Sequence, residues 1–227
     1  MEYWQAFEAD AAPPPHAADA PVAMPDGSAL RLPLRDYGEV AVTGFIANQA
    51  SFPVLRRVAA WMTAAARPLG AEVVLGLPTL GHVVAAPVAE ALGHPNWVAA
   101  GTSRKRWYDD ALSAPLTSST TPAERRLYLD PRVLGRLRGR RILLVDDVIS
   151  SGSSARAGVA LLAAAGLRPA ALLVAMAQGD RWRADWPADI PVAAAFATPL
   201  YRRGAGGWFP DEATRPPVLL PPVPLPR

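Results

Sequence analysis

The segment from Arg141 to Gly166 reads RILLVDDVISSGSSARAGVALLAAAG and carries the strongest structural signal in the chain. Four apolar residues, Ile142 to Val145, lead into two adjacent carboxylates, Asp146 and Asp147. A short apolar run of this kind is typical of a strand that is buried on both faces of a parallel sheet. The alanine- and leucine-rich residues that close the segment predict a helix, so the segment indicates a strand, a loop and a helix in succession.

The loop of this unit consists of small and hydroxylated residues: Ser150, Ser151, Gly152, Ser153 and Ser154. Free backbone N–H groups and the positive end of the helix dipole converge where such a loop opens a helix, which favours a bound phosphate. Carboxylates do not hold a phosphate, so we expect the acid pair to accept hydrogen bonds from sugar hydroxyls or to face a metal-bound group. A serine-rich helix cap beside a surface acid pair is the alternative interpretation.

This combination resembles the 5-phosphoribosyl-1-pyrophosphate (PRPP) motif of type I phosphoribosyltransferases, in which two acids precede Thr-Gly-x-Thr. Ser151 to Ser154 stand at the Thr-Gly-x-Thr positions, with serine in place of both threonines. The resemblance covers roughly Glu72 to Thr198 and is sharp at Val145 to Ser154. It implies that Ser150 to Ser154 bind the 5-phosphate of PRPP, and that Asp146 and Asp147 are catalytic and hold the ribose hydroxyls.

Strand and helix patterns alternate from Glu72 onward, which predicts an α/β fold with a doubly wound, mostly parallel sheet and flanking helices. We expect a type I phosphoribosyltransferase-like core at residues 46–200. Residues 1–45 are predicted to form an N-terminal cover or hood with a hairpin around Asp36-Tyr37-Gly38, and Ala11 to Asp26 to be a linker or irregular cover. Residues 201–227 are predicted to form an aromatic loop and a proline-rich tail.

A second strand, loop and helix lie at Glu72 to Gly93, where an apolar strand leads into Pro78-Thr79-Leu80-Gly81. The spacing of Gly76 and Gly81 is that of a Walker A loop, but His82 and Val83 occupy the lysine and serine/threonine positions, which excludes that motif. The resemblance implies a pyrophosphate-binding loop made of Leu77, Pro78, Thr79, Leu80 and Gly81. A plain strand-to-helix turn is the alternative.

Arg104, Lys105 and Arg106 follow a predicted strand at Asn96 to Gly101, and a polar run from Ser113 to Thr121 comes next. In the family that this chain resembles, the equivalent segment is a mobile loop that closes over the reacting centre. The resemblance therefore implies catalytic roles for Arg104 and Lys105 and a pyrophosphate contact for Lys105. A solvated basic turn is the alternative.

Trp208 and Phe209 lie in the glycine-flanked loop YRRGAGGWFPD, which follows the last predicted strand. This loop is a candidate hood on which a flat base stacks, although Trp208 would equally serve to pin the tail to the body. The basic run from Arg132 to Arg141 favours a solvated face or a dimer contact over a nucleic-acid surface.

The chain has 227 residues, a net charge of +3 and no cysteine, which excludes disulfides and thiolate metal sites. It shows no apolar run of membrane-spanning length and no signal-peptide layout, so we expect a cytoplasmic protein without a membrane partner. A homodimer is expected, and a nucleic-acid partner is not.

The predicted function is the transfer of the 5-phosphoribosyl group of PRPP to a nucleobase-like acceptor in nucleotide salvage, with release of pyrophosphate. Mg²⁺ is the expected cofactor, held through PRPP rather than by direct protein ligands. Family members that act on hypoxanthine and guanine resemble each other in having an acid where this chain has Ser150, which argues against that subclass. A regulator that senses PRPP or a nucleotide without turnover is the alternative function.

Overall fold

The computed structural model describes residues 3–116 and 125–222. Part of the predicted polar run and the end of the proline-rich tail therefore lie outside the described residues. The helices are α1 (Phe52–Ala66), α2 (Gly81–Ala91), α3 (Leu134–Leu137) and α4 (Ser153–Ala164). The strands are β1 (Phe7–Glu8), β2 (Asp19–Ala23), β3 (Ala29–Asp36), β4 (Val40–Thr43), β5 (Val73–Gly76), β6 (Val98–Ala99), β7 (Ser113–Pro115), β8 (Arg126–Tyr128), β9 (Ile142–Ile149), β10 (Pro169–Gln178), β11 (Val192–Thr198), β12 (Leu200–Gly204) and β13 (Gly207–Asp211).

A five-stranded parallel sheet in the order β11-β10-β9-β5-β6 forms the centre of the molecule. The first four residues of β9 are buried because α1 and α2 pack on one face of the sheet, while α4 and the β7–β8 hairpin cover the other. Because both faces of β9 are covered, its side chains are buried on either side, and the strand therefore has an unbroken apolar run rather than an alternating one. The predicted doubly wound α/β core is confirmed.

Helix α1 shows how the local sequence sets the element bounds. The Ser51 hydroxyl accepts a hydrogen bond from the Val54 N–H at 3.3 Å and caps the helix, and Pro53 occupies the first turn. One face of the helix is buried against β10 and β11. Gly70, with a φ of 61°, ends the short 3-10 turn that follows.

The two terminal segments build a second, antiparallel sheet in the order β1-β3-β4-β12-β13, with β2 also paired to β3. The predicted hairpin at Asp36 is present as β3 and β4, and β4 joins the C-terminal strand β12 through the Ala41 and Tyr201 pair. The division into residues 1–45, 46–200 and 201–227 stays a prediction, and its first and last segments share one sheet.

Strand β2 corrects the expectation that Ala11 to Asp26 is an irregular linker. Ala20, Pro21 and Val22 are buried against β3. Pro21 obscures the strand pattern in the sequence, yet a proline is tolerated in a strand whose N–H faces away from its neighbour. Pairing with β3 therefore overrides the weak local signal.

The C-terminal tail covers the outer edge of β11. The Leu219 N–H donates to the Val192 carbonyl at 2.9 Å, and the Ala194 N–H donates to the Leu219 carbonyl at 2.9 Å. Covering an edge strand removes a template for pairing with other chains. No helix within the described residues combines the length and the apolar character that crossing a membrane requires.

Candidate active site

The acid pair lies near the carboxyl end of β9, and its two members have different surroundings. Asp146 is 5% exposed, and its Oδ1 accepts a hydrogen bond from the Asp147 N–H at 2.9 Å. Asp147 is half-buried and lines a cleft of about 470 Å³ between the parallel and the antiparallel sheets. Asp147 is therefore the carboxylate that a ligand in this cleft reaches, whereas Asp146 supports the strand end from within.

Burial raises the pKa of the Asp146 carboxyl well above its ordinary value, and the charge of Asp147 raises it further. Burial also raises the pKa of the Asp147 carboxyl. Two carboxyls in a low-dielectric site retain a proton more readily than isolated ones. Hydroxyl donors or a positive charge placed against Asp147 would favour its ionised form.

The serine loop turns sharply between β9 and α4. Gly152 has a φ of 77°, and a Cβ at this position would lie 3.0 Å from Arg156 Nη1 and 3.1 Å from Trp182 Cβ. The turn therefore requires glycine, both for its backbone conformation and for the close approach of Trp182.

This loop encloses a small pocket of about 250 Å³ lined by residues 148–155. The N-cap residue of α4 is Gly152, which has no side chain to cap the helix, and among the first N–H groups of α4 only that of Ser153 donates to a side chain within the described residues, to the Ser151 hydroxyl at 3.4 Å. Uncapped N–H groups at a helix N-terminus form an anion site. The pocket lies at the loop that the sequence predicts to bind the 5-phosphate, and this role stays a prediction.

The loop from Leu77 to Gly81 lies directly against the acid pair. A Cβ on Gly81 would come within 2.9 Å of Asp146 Cα, of Asp146 Oδ1 and of the Val145 carbonyl oxygen. The Leu77 N–H donates to the Val145 carbonyl at 2.8 Å, and the Leu77 side chain is buried. Thr79 is exposed, and Pro78 and Leu80 are half-buried. The structure thus brings together two segments that are 65 residues apart in the sequence.

His82 is the second residue of helix α2 and packs against Trp97, with ring centroids 5.3 Å apart. Burial lowers the pKa of its imidazole, which favours the neutral ring at pH 7. His82 is not among the residues that line the cleft. Its placement is that of a packing residue.

The basic tripeptide leaves the same edge of the parallel sheet, because the Ala100 N–H donates to the Gly76 carbonyl at 3.0 Å. Arg104 forms an exposed ion pair with Asp110 at 2.6 Å, and Lys105 and Arg106 are exposed. Within the described residues no hydrogen bond or ion pair joins Arg104 or Lys105 to the acid pair. Their catalytic role stays a prediction.

Trp208 and Phe209 lie away from the cleft. Trp208 is 5% exposed, packs against Ala20, Ala41 and Tyr201, and carries the Arg203 guanidinium 4.3 Å above its ring. Phe209 is partly exposed, and neither residue lines the cleft. The structure therefore does not bring the predicted stacking pair to Asp147.

The hood wall of the cleft comes from β3, β4 and the N-terminal Trp4, all within residues 1–45, the segment predicted as a possible hood, although the sequence singled out no individual residue of this wall. The wall includes Trp4, Arg35, Thr43 and Phe45. The cleft is also lined by Met176 and Gln178 from the end of β10 and by Arg181 from the turn after it. Gln178 was detectable in principle, because ligands of parallel sheets bind beyond the carboxyl ends of the strands.

Comparison with known proteins places this geometry in a family. The sequence profile of the phosphoribosyl transferase domain matches residues 43–191. The chain belongs to that family. It is a phosphoribosyltransferase of the type I group, as the sequence predicted, and the enzyme interpretation is confirmed at that level.

Individual relatives differ in the base that their names state. An adenine phosphoribosyltransferase of Kineococcus radiotolerans is 32% identical over 136 residues, which cover 59% of this chain and 67% of that protein. An orotate phosphoribosyltransferase of Laribacter hongkongensis is 38% identical over 64 residues, which cover 28% of this chain and 30% of that protein. The crystal structure of an adenine phosphoribosyltransferase from Rhodothermus marinus superposes with a TM-score of 0.52 at 18% identity, over 79% of this chain and 94% of that one. The likeness to the Rhodothermus marinus structure supports the fold assignment alone.

Proposed function

We propose that this phosphoribosyltransferase acts in nucleotide salvage and transfers the 5-phosphoribosyl group of PRPP to a nucleobase-like acceptor, with release of pyrophosphate. The observation that carries the proposal is the meeting, at one edge of the parallel sheet, of an accessible carboxylate, an uncapped helix N-terminus and a tightly packed glycine loop. The named relatives transfer the same group to different bases, which supports the reaction class.

PRPP fits this arrangement in one orientation. Its 5-phosphate occupies the pocket of Ser150 to Ser154, where backbone N–H groups and hydroxyls donate to it. The Asp147 carboxylate accepts hydrogen bonds from the ribose hydroxyls. The pyrophosphate then lies toward Leu77–Gly81, whose backbone follows β5 at the same edge of the sheet.

In the reaction the bond between the anomeric carbon and the pyrophosphate oxygen breaks, and a bond to an acceptor nitrogen forms. The leaving pyrophosphate takes the electron pair, so the sugar ring gains positive charge in the transition state. Asp147 is placed to stabilise that charge in a partly dehydrated cleft. The acceptor approaches from the hood wall, on the side of β3 and β4.

The Asp147 carboxylate, with Asp146 next to it in the chain, supplies the oxygen ligands that suit a hard cation bound mainly through its substrate. The described residues contain no group of three or more acids and histidines placed to hold a metal on their own. Mg²⁺ would be held by PRPP oxygens and waters, with Asp147 beside them, and would neutralise charge on the departing pyrophosphate.

The experiment that tests the proposal follows pyrophosphate release from PRPP and Mg²⁺ with a panel of bases. We expect Asp147→Asn to lower kcat/KM for PRPP by about 100-fold, because one stabilising group of the transition state is lost. Asp189→Asn is the matched control, since Asp189 is an exposed aspartate paired with Arg168. An unchanged rate in Asp147→Asn would refute the role of this carboxylate. Tight PRPP binding without turnover on any base would instead support the sensor alternative.

A further inference from the structure

The cleft beside Asp147 has an unusual balance of charge on its acceptor side. Its charged lining side chains are Asp147, Arg35 on β3 and Arg181 in the turn after β10. Within the described residues neither arginine forms an ion pair or donates a side-chain hydrogen bond. Two solvent-exposed arginines therefore line a cleft whose single lining carboxylate is assigned to the ribose.

Several uncharged polar groups of the cleft are already engaged in hydrogen bonds, whereas the hydroxyls of Tyr37 and Ser150, which also line it, have no hydrogen-bond partner among the described residues. Gln178 donates its side-chain amide to the Thr43 carbonyl and, at 3.0 Å, to the Thr43 hydroxyl. The Gly44 carbonyl accepts from the Trp4 indole N–H at 2.9 Å. These contacts fix the walls and leave the guanidinium groups as the strongest donors that a new ligand meets.

The remaining walls suit a flat ring. The apolar lining includes Trp4, Phe45, Val148 and Met176. Trp4 is held in place by its bond to Gly44, so its indole forms a fixed surface rather than a mobile flap. Apolar walls with a few charged donors describe a pocket for a planar, acceptor-rich molecule.

The two arginines do not belong to the phosphate site. The 5-phosphate pocket is lined by residues 148–155 and includes neither arginine. Arg35 lies on the antiparallel sheet, in a strand that precedes the family match at residues 43–191. A difference in acceptor between this chain and its relatives would therefore be located on this wall.

We propose that the acceptor is a planar heterocycle that presents carbonyl oxygens or a carboxylate to Arg35 and Arg181, rather than an amino-substituted base such as adenine. Guanidinium groups donate to oxo and carboxylate oxygens in a planar, paired geometry and offer nothing to an amino donor. A base whose edge consists of amino groups offers no acceptor to these two exposed guanidinium groups, so it gains no binding energy from them. This inference rests on the proposed function, because it names the substrate class of the same site.

Calorimetric titration tests the inference without requiring turnover. The full chain, saturated with Mg²⁺ and ribose 5-phosphate, is titrated with orotate, xanthine and adenine in parallel. We expect orotate or xanthine to bind at least 10-fold more tightly than adenine. Equal or tighter binding of adenine would overturn the inference and leave the proposed transferase reaction intact.

Variants locate the preference on the two arginines. We expect Arg35→Gln and Arg181→Gln each to weaken binding of the oxo or carboxylate base by about 10- to 100-fold, with PRPP affinity within about 2-fold of the parent. Arg183 is an exposed arginine of the same turn that does not line the cleft, so Arg183→Gln serves as the control. This variant should change neither the affinity for the base nor the affinity for PRPP. A loss confined to PRPP affinity would show that the arginines serve the donor and would overturn the inference. Absence of pyrophosphate release with every base is a separate outcome, and it refutes the transferase proposal alone.

Discussion

Replacement of Gly81 by alanine tests the contact that joins the pyrophosphate loop to the acid pair. A Cβ at this position would lie 2.9 Å from Asp146 Cα, from Asp146 Oδ1 and from the Val145 carbonyl oxygen. Two of these three atoms belong to the backbone of β9, which is the central strand of the sheet, so they cannot move aside as the tip of a flexible side chain would. Gly81 has no left-handed φ, and the cost is therefore steric alone.

The expected loss follows from overpacking a rigid contact, which costs about 1–3 kcal/mol. For a chain of this size each kcal/mol corresponds to about 2–4 °C in Tm. We therefore expect Gly81→Ala to lower Tm by roughly 2–12 °C, working through those two ranges. If the added methyl group pushes α2 away from β9, it also displaces Asp147. The affinity for PRPP should therefore fall together with Tm.

Two other glycines provide matched controls for thermal melts followed by circular dichroism. Gly158→Ala would meet the side-chain tips of Leu77 and Leu144 at 2.9–3.0 Å, which can rotate away in part, so we expect a smaller loss. Gly135→Ala in α3 would meet no atom within 4 Å and should be neutral or slightly stabilising. A Tm for Gly81→Ala within 1 °C of the parent, with unchanged PRPP affinity by calorimetry, would refute the reasoning.

Two further predictions concern charge at the site. Asp146→Asn should raise the free energy of unfolding above neutral pH while lowering turnover, because it removes a buried carboxyl whose pKa is raised by burial. The free energy of unfolding of the parent falls as pH rises from the ordinary carboxyl pKa through the raised one, because the folded state keeps a proton that the unfolded state has released. The Tm advantage of the variant should therefore grow over that range and then level off. An advantage independent of pH would contradict the assignment. Lys105→Gln should lower kcat more than it raises the dissociation constant of PRPP, because a closing loop acts mainly on the departing pyrophosphate. Stopped-flow turnover and calorimetry measure the two quantities, and equal losses in both would mean that Lys105 only binds.

The sequence was most informative where local chemistry and global fold agree. Ile142 to Val145 predicted a strand buried on both faces, and the strand lies at the centre of the sheet between two helical layers. Ser150 to Ser154 predicted a helix-opening anion loop, and the structure has a pocket there with an uncapped helix start. The buried strand is confirmed and the anion-binding role of the loop stays a prediction; both inferences were possible because strand burial and helix N-termini are properties of a few neighbouring residues.

The sequence was least informative about the hood. Trp208 and Phe209 were a candidate hood on which a flat base stacks, and the sequence equally allowed Trp208 to pin the tail to the body. The structure buries Trp208 in the antiparallel sheet and forms the acceptor wall from β3, β4 and Trp4. Strand β2 was missed for the same reason, since its pairing partner β3 and not its own pattern makes it a strand.

The chain by itself determined the parallel core, the acid pair, the serine loop and the family, because each depends on a periodicity or motif within about 25 consecutive residues. Only the tertiary structure decided that Asp147 and not Asp146 lines the cleft, that Gly81 packs on the acid pair, and that Arg35 and Arg181 line the same cleft. These features bring together residues that lie 65 to 146 positions apart in the sequence. The packing of the two sheets determines which of them come close in space, and no local sequence pattern contains that information.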